Sequence, residues 1–150
     1  MNYTYARSGR IASVADATGT RIFAYDPAQP LQLDSIALGT GLYQGLVLTR
    51  QYNKDGLLPG RPSGFSLGTA ASPSGDLEQD YYYNSLGRFD HLTSQALGGN
   101  AFTFNYSYTP NTPLIAGVAV SGSPFQVSRS YDPTRPLLTD VTTQWATEEP

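Results

Sequence analysis

Phe102-Thr-Phe-Asn-Tyr-Ser-Tyr108, followed by Thr109-Pro-Asn-Thr-Pro-Leu114, is the stretch that decides the fold class. Its aromatic residues fall at every second position, so Phe102, Phe104, Tyr106 and Tyr108 share one face of an extended strand and Thr103, Asn105 and Ser107 the other. Two prolines and an asparagine then break the strand, and Leu114 resumes an apolar pattern. That is the outline of a β-hairpin: a strand ending on a tyrosine, a turn, and a returning strand.

The same outline recurs along the chain. It is read at Tyr5-Ala-Arg-Ser-Gly-Arg-Ile11, Tyr25-Asp-Pro-Ala-Gln-Pro-Leu31, Tyr52-Asn-Lys-Asp-Gly-Leu-Leu58, Tyr83-Asn-Ser-Leu-Gly-Arg-Phe89, Tyr108-Thr-Pro-Asn-Thr-Pro-Leu114 and Tyr131-Asp-Pro-Thr-Arg-Pro-Leu137. Each copy has a tyrosine, a Gly- or Pro-containing turn, and an apolar residue six positions after the tyrosine. The tyrosines are spaced by 20, 27, 31, 25 and 23 residues, the length of one supersecondary unit with loops of varying size. The structural positions of this repeat are therefore Tyr5, Gly9, Arg10 and Ile11; Tyr25, Asp26 and Leu31; Tyr52, Gly56 and Leu58; Tyr83, Gly87, Arg88 and Phe89; Tyr108 and Leu114; Tyr131, Asp132 and Leu137.

Shorter alternating pairs, Tyr3 with Tyr5, Phe23 with Tyr25 and Tyr81 with Tyr83, each end on a repeat tyrosine. The opposite ends of the hairpins are marked by Ala17-Thr-Gly19, Leu97-Gly-Gly99 and Ser121-Gly-Ser123. The expected architecture is all-β, a single array over 1–150 of about six antiparallel β-hairpin repeats forming part of a β-solenoid or shell. Pro59 to Gly75 reads as a long loop or distorted repeat, and Gly39 to Gly45 as a flexible loop between repeats.

The composition agrees with β-structure. The 150 residues include 15 Gly, 11 Pro and 11 Tyr, while Lys54 is the only lysine and Glu78, Glu148 and Glu149 the only glutamates. A net charge of -3 with scattered arginines gives no electrostatic footprint for nucleic acid. The absence of cysteine rules out a disulfide framework and thiolate metal sites, and a lone His91 builds no histidine cluster. No cofactor is implied. No apolar run reaches the eighteen or so residues of a membrane-spanning helix.

The repeated unit resembles that of the YD-repeat, or Rhs-repeat, family, which runs Tyr-x-Tyr-Asp, two variable residues, Gly-Arg-Leu and a Gly-containing return. The closest matches are Tyr3 to Ile11, Phe23 to Leu31, Tyr81 to Phe89 and Ser130 to Leu137. The resemblance covers most of the chain outside Gly39 to Gly45 and Pro59 to Gly75. Gly-Arg is read at Gly9-Arg10 and Gly87-Arg88 only, and Asp follows the tyrosine at Asp26 and Asp132 only, as in a divergent member. The resemblance implies a fragment of a larger protein whose repeats wind into a hollow shell, enclosing a toxic polypeptide in bacterial systems or forming part of animal cell-surface adhesion proteins. It also implies secretion or display at a cell surface, with flanking repeats of the parent chain and an enclosed toxin polypeptide as partners. The Asp-Pro-x-Gly sequence of the self-cleaving module found in many such shells is not present, because Asp26-Pro27 and Asp132-Pro133 continue as Ala28-Gln29 and Thr134-Arg135.

The expected role is thus structural and not enzymatic. A second reading, a carbohydrate- or protein-binding module of a secreted adhesin, would need an exposed ladder of aromatic residues, whereas regular alternation is first a packing pattern. Asp76, Glu78 and Asp80 share one face of an extended segment and are read as a solvated strand edge in preference to a cation or acid/base site. Asp90, His91 and Ser94 have the letters of a catalytic triad without a nucleophile elbow. The sequons Asn2-Tyr-Thr4 and Asn105-Tyr-Ser107 are read as chance matches, and Leu137 to Trp145 as a strand whose partner is missing. Such an uncapped edge is expected to leave the segment marginally stable or self-associating.

Overall fold

The computed structural model describes residues 1–53 and 58–145, and for 73 and 74 only the backbone. Twelve strands follow one another: β1 (Asn2–Tyr5), β2 (Ile11–Asp16), β3 (Gly19–Tyr25), β4 (Leu33–Gly41), β5 (Leu46–Tyr52), β6 (Pro62–Thr69), β7 (Ser72–Tyr83), β8 (Phe89–Ala96), β9 (Phe102–Tyr108), β10 (Ile115–Val120), β11 (Gln126–Tyr131) and β12 (Leu138–Gln144). They form one antiparallel sheet in sequence order, so every strand pairs with its neighbours in the chain. The sheet is not closed, since β1 and β12 stand at its two ends. Among the described residues there is no helix. None, accordingly, is long and apolar enough to cross a membrane, which leaves membrane β-barrels unaddressed.

Two readings of the sequence are corrected. Pro59 to Gly75 is not a loop, because it contains β6 and the start of β7. The glycines there follow the two-residue period of a strand: Gly64, Ser66 and Gly68 are buried on one face, while Phe65 and Leu67 alternate to the other. A Cβ at Gly64 would collide with the Gln79 carbonyl, so the sheet itself demands a small residue there. Likewise Gly39 to Gly41 ends β4, and only the next four residues turn, closed by the Gly45 N–H donating to the Leu38 carbonyl at 2.8 Å.

The chain divides into two compact units, Met1–Asp80 with Gln95–Gly99 and Tyr81–Ser94 with Asn100–Pro150. In the first, cross-strand pairing strings Phe23, Ile36, Leu48, Leu67 and Leu77 into one row across β3 to β7. The next row, on the opposite face, reads Ala24, Ser35, Thr49, Ser66 and Glu78. The first of these rows is apolar and the second small and polar, and Ile22, Ala37, Val47 and Gly68 form a further row on the second face. The second unit repeats the division by itself. Leu92, Phe104 and Val120 share a row, as do Tyr106, Val118 and Val127, while His91, Asn105, Ala119, Gln126 and Gln144 line the other face.

Burial on the apolar faces is incomplete. Only Val14 in the first unit and Val120 in the second are buried hydrophobic residues among those described, and the rest of the apolar rows is half-buried. Cross-strand pairs shield the flanks of these side chains. Stability therefore rests on ladder hydrogen bonds and cross-strand pairs more than on a deep core.

Candidate functional site: the tyrosine turns

All six repeat tyrosines hold the same place. Tyr5, Tyr25, Tyr52, Tyr83, Tyr108 and Tyr131 are the last residues of β1, β3, β5, β7, β9 and β11, the six odd-numbered strands. The residue after each donates its N–H to the carbonyl of the residue that precedes the returning strand. These bonds are Ala6 to Arg10 (2.8 Å), Asp26 to Gln32 (3.0 Å), Asn53 to Arg61 (2.9 Å), Asn84 to Arg88 (2.8 Å), Thr109 to Leu114 (2.9 Å) and Asp132 to Leu137 (2.9 Å). The ladder shifts register at Tyr5, Tyr25, Tyr52 and Tyr131 and opposite Tyr108, a bulge that bends the tyrosine out of the regular alternation.

The tyrosine hydroxyls are used in the same way. Tyr25 donates to the Ile11 carbonyl at 3.1 Å, Tyr52 to Leu33 at 2.9 Å, Tyr108 to Phe89 at 2.7 Å and Tyr131 to Ile115 at 2.9 Å. In every case the acceptor is the first residue of the preceding even-numbered strand. Burial pushes the Tyr108 hydroxyl above its ordinary pKa.

Register explains a second contact. Continuing the β2–β3 pairing back from Ser13 and Ile22 sets Tyr25 opposite Arg10, and continuing β8–β9 from His91 and Asn105 sets Tyr108 opposite Arg88. The guanidinium carbons lie over those rings, 4.4 Å and 4.2 Å from the centroids. Arg88 Nη1 also donates to the Thr112 carbonyl at 2.5 Å. The Arg10 Nη1 and Arg88 Nε atoms are buried without a hydrogen-bond partner, so the ring face is their compensation.

Two ways of closing the turn are present. Gly9 and Gly87 have φ of 78° and 74°, where a side chain is strained, and they deliver Arg10 and Arg88 to the strand edge. A third Gly-Arg occupies the equivalent place at Gly60-Arg61, with φ of 77° at Gly60, so the pair is not confined to the two copies read from sequence. The fixed six-residue spacing hid it, because the third turn is longer. The other three turns read Tyr-x-Pro-x-x-Pro. In two of them the residue after the tyrosine is an aspartate that caps the turn. Asp26 Oδ1 accepts the N–H groups of Ala28 (2.7 Å) and Gln29 (3.1 Å), and Asp132 Oδ1 those of Thr134 (2.9 Å) and Arg135 (3.1 Å). Asn84 does the same for Leu86 and Arg88 in a Gly-Arg turn.

The returning apolar residue is less regular than the tyrosine. Ile11 and Phe89 open their strands, whereas Leu114 and Leu137 lie one residue before β10 and β12. Leu31 is in the turn and 92% exposed, and β4 begins at Leu33. Leu58 lies in a bend before β6, which begins at Pro62, and Gly56 lies outside the described residues. Loop length, which differs between turns, moves the strand start away from any fixed offset.

The other candidates resolve into structure. Asp76, Glu78 and Asp80 are half-buried within β7, inside the sheet and not on its edge. Among the described residues no group of three or more His, Cys, Asp or Glu could hold a metal ion. His91 stacks on Tyr82 with centroids 4.2 Å apart, and its Nδ1 lies 2.8 Å from Asp90 Oδ2. Ser94, three residues along β8, points to the opposite face, so the triad letters do not converge. Phe89 gathers Tyr83, Tyr81 and Tyr106 at centroid distances of 4.8, 5.7 and 5.9 Å. A groove of about 730 Å³ lies between the turns Thr109–Leu114 and Arg129–Pro136, where Arg135 Nη2 is 3.3 Å from Asp132 Oδ2. Asp132 is held below the ordinary carboxylate pKa, first by the Thr134 hydroxyl and N–H and then by Arg135.

Scanning the chain against protein-family models gives no match, and neither does a search of curated proteins.

Proposed function

We propose that this chain is a structural segment of a YD-repeat, Rhs-like β-shell whose parent encloses or displays another polypeptide. The observation that carries the reading is the equivalence of the six tyrosines, four of which tie their strand to the preceding one by the same hydroxyl-to-carbonyl bond. A repeated hairpin with a repeated lock builds a wall of any length, since each unit needs only its neighbours. The incompletely covered apolar rows favour a surface that meets another polypeptide. The lock also removes four tyrosine hydroxyls from the surface chemistry on which a carbohydrate-binding ladder would draw. No catalytic step is needed for such a role, which is burial of a cargo. The test is electron cryomicroscopy of the native polypeptide that carries this sequence. The reading expects these strands in the wall of a cavity holding protein density, and a solid sandwich or barrel without a cavity would overturn it.

A further inference from the structure

Two residues before the repeat tyrosine stands an aromatic residue in four copies, Tyr3, Phe23, Tyr81 and Tyr106, and an arginine in the other two, Arg50 and Arg129. Both arginines line a groove between the turn that their own strand enters and the turn before it. Arg129 shares its face of β11 with Val127, whose row carries Val118 and Tyr106, and it is half-buried there. It makes no ion pair among the described residues. A partly desolvated cation without a counter-charge is costly, and an anion from outside would remove that cost.

The groove beside Arg129, of about 730 Å³, lies between two consecutive turns of the array. Its walls carry Pro110, Pro113, Pro133 and Pro136, which have no N–H to donate. Other turn N–H groups already donate within their own turns: Thr112 to the Thr109 carbonyl, Leu114 to the Thr112 hydroxyl, and Thr134 and Arg135 to Asp132 Oδ1. The charged side chains of the lining are Arg129, Asp132 and Arg135, and the last two face each other at 3.3 Å. Two positive charges against one negative leave a single positive charge over, on Arg129. Apolar walls around one guanidinium fit a single carboxylate on an apolar carrier, because the planar fork binds a carboxylate bidentately. A phosphate dianion would meet half the charge it needs, and a sugar would find few donors.

We propose that this groove docks an acidic segment of another polypeptide, with an Asp or Glu carboxylate on Arg129 and a neighbouring apolar side chain on the proline rings. It supplies a recognition chemistry for the polypeptide that the parent encloses or displays, and it rests on that reading only for the partner's source. The groove between the turns after Tyr25 and Tyr52 is the internal comparison. It holds Arg50 together with Asp26 and Asp34, so among the described residues its balance is negative and it should refuse the same ligand.

The test follows amide chemical shifts of the isotope-labelled chain as the capped tripeptide Phe-Glu-Phe is added to about 10 mM. Saturable shifts should appear at 109–114 and 129–136 and not at 26–34. The tripeptide Phe-Gln-Phe should bind about ten-fold more weakly, the effect of losing a hydrogen-bonded charge. Arg129→Gln should reproduce that loss with Phe-Glu-Phe, and Arg50→Gln should leave the affinity unchanged. The glutamine peptide probes the carboxylate without altering the protein, so a poorly folding variant does not decide the matter. Equal affinity for the two peptides, shifts as large at 26–34, or no saturable shift at all would overturn the proposal. So would binding of free benzoate without binding of the peptide, which would make the groove a small-molecule site. A failed titration leaves the proposed shell wall untouched, and a wall without a cavity leaves the groove's preference measurable, so the two can fail separately.

Discussion

The Gly-Arg turns after Tyr5, Tyr52 and Tyr83 and the proline turns after Tyr25, Tyr108 and Tyr131 reach the same end by different chemistry. In the first kind a glycine in the left-handed region reverses the chain, and the next residue is an arginine at the strand edge. In the second, two prolines restrict the backbone and, after Tyr25 and Tyr131, an aspartate collects the exposed N–H groups. Both finish with the same main-chain bond from the residue after the tyrosine. The comparison teaches that the tyrosine and its register are the invariant part of the repeat, and that the turn is a replaceable way of reaching it.

That distinction can be broken by mutation. The largest expected effect is Gly87→Val, which forces a β-branched side chain to a φ of 74° and should cost about 2 kcal/mol. The parallel change Gln29→Val in a proline turn should stay within about 0.5 kcal/mol. Urea unfolding of both variants checks the contrast, and equal losses would erase it. Next, Arg88→Ala removes the ring contact with Tyr108 and the bond to Thr112, and should destabilise by about 1–2 kcal/mol. Tyr108→Phe and Tyr131→Phe, one following each kind of turn, should each cost about 1 kcal/mol in thermal or urea unfolding, because the hydroxyl bond is common to both.

The smallest effect is acid sensitivity. Asp16 is held down to about 2 by the Thr18 hydroxyl and N–H and by Arg21, whose Nη1 is 2.9 Å from Oδ2, and Asp132 is lowered in the same sense. A depressed carboxylate pKa stabilises the fold above the unfolded value near 3.8 and loses that contribution as pH falls through the folded value. Stability should therefore decline between about pH 4 and pH 2, and Asp16→Asn should flatten part of the decline in a pH series of melting curves.

How much of this was legible depended on which interaction set each position. The strand around Phe104 and the tyrosine ends were legible because alternation and turn residues are local signals. The small-residue face of β6 was not. Gly64, Ser66 and Gly68 look like a loop until pairing with β5 and β7 is known, and at Gly64 the Gln79 carbonyl leaves no room for a side chain. The Arg10–Tyr25 and Arg88–Tyr108 contacts were hidden for the same reason, since they join residues 15 and 20 positions apart that only register brings together. Gly60-Arg61 was missed because the spacing was held at six, although the dipeptide itself stood in the sequence.

The most direct test of the tyrosine rule is amide hydrogen exchange in solution, read residue by residue. The account predicts that the N–H groups of Asp26, Asn53, Asn84, Thr109 and Asp132 are all protected, while those of Asn111 and Ser85, within turns of the two kinds, exchange orders of magnitude faster than the protected set. Protection scattered without regard to the position after each tyrosine would contradict it.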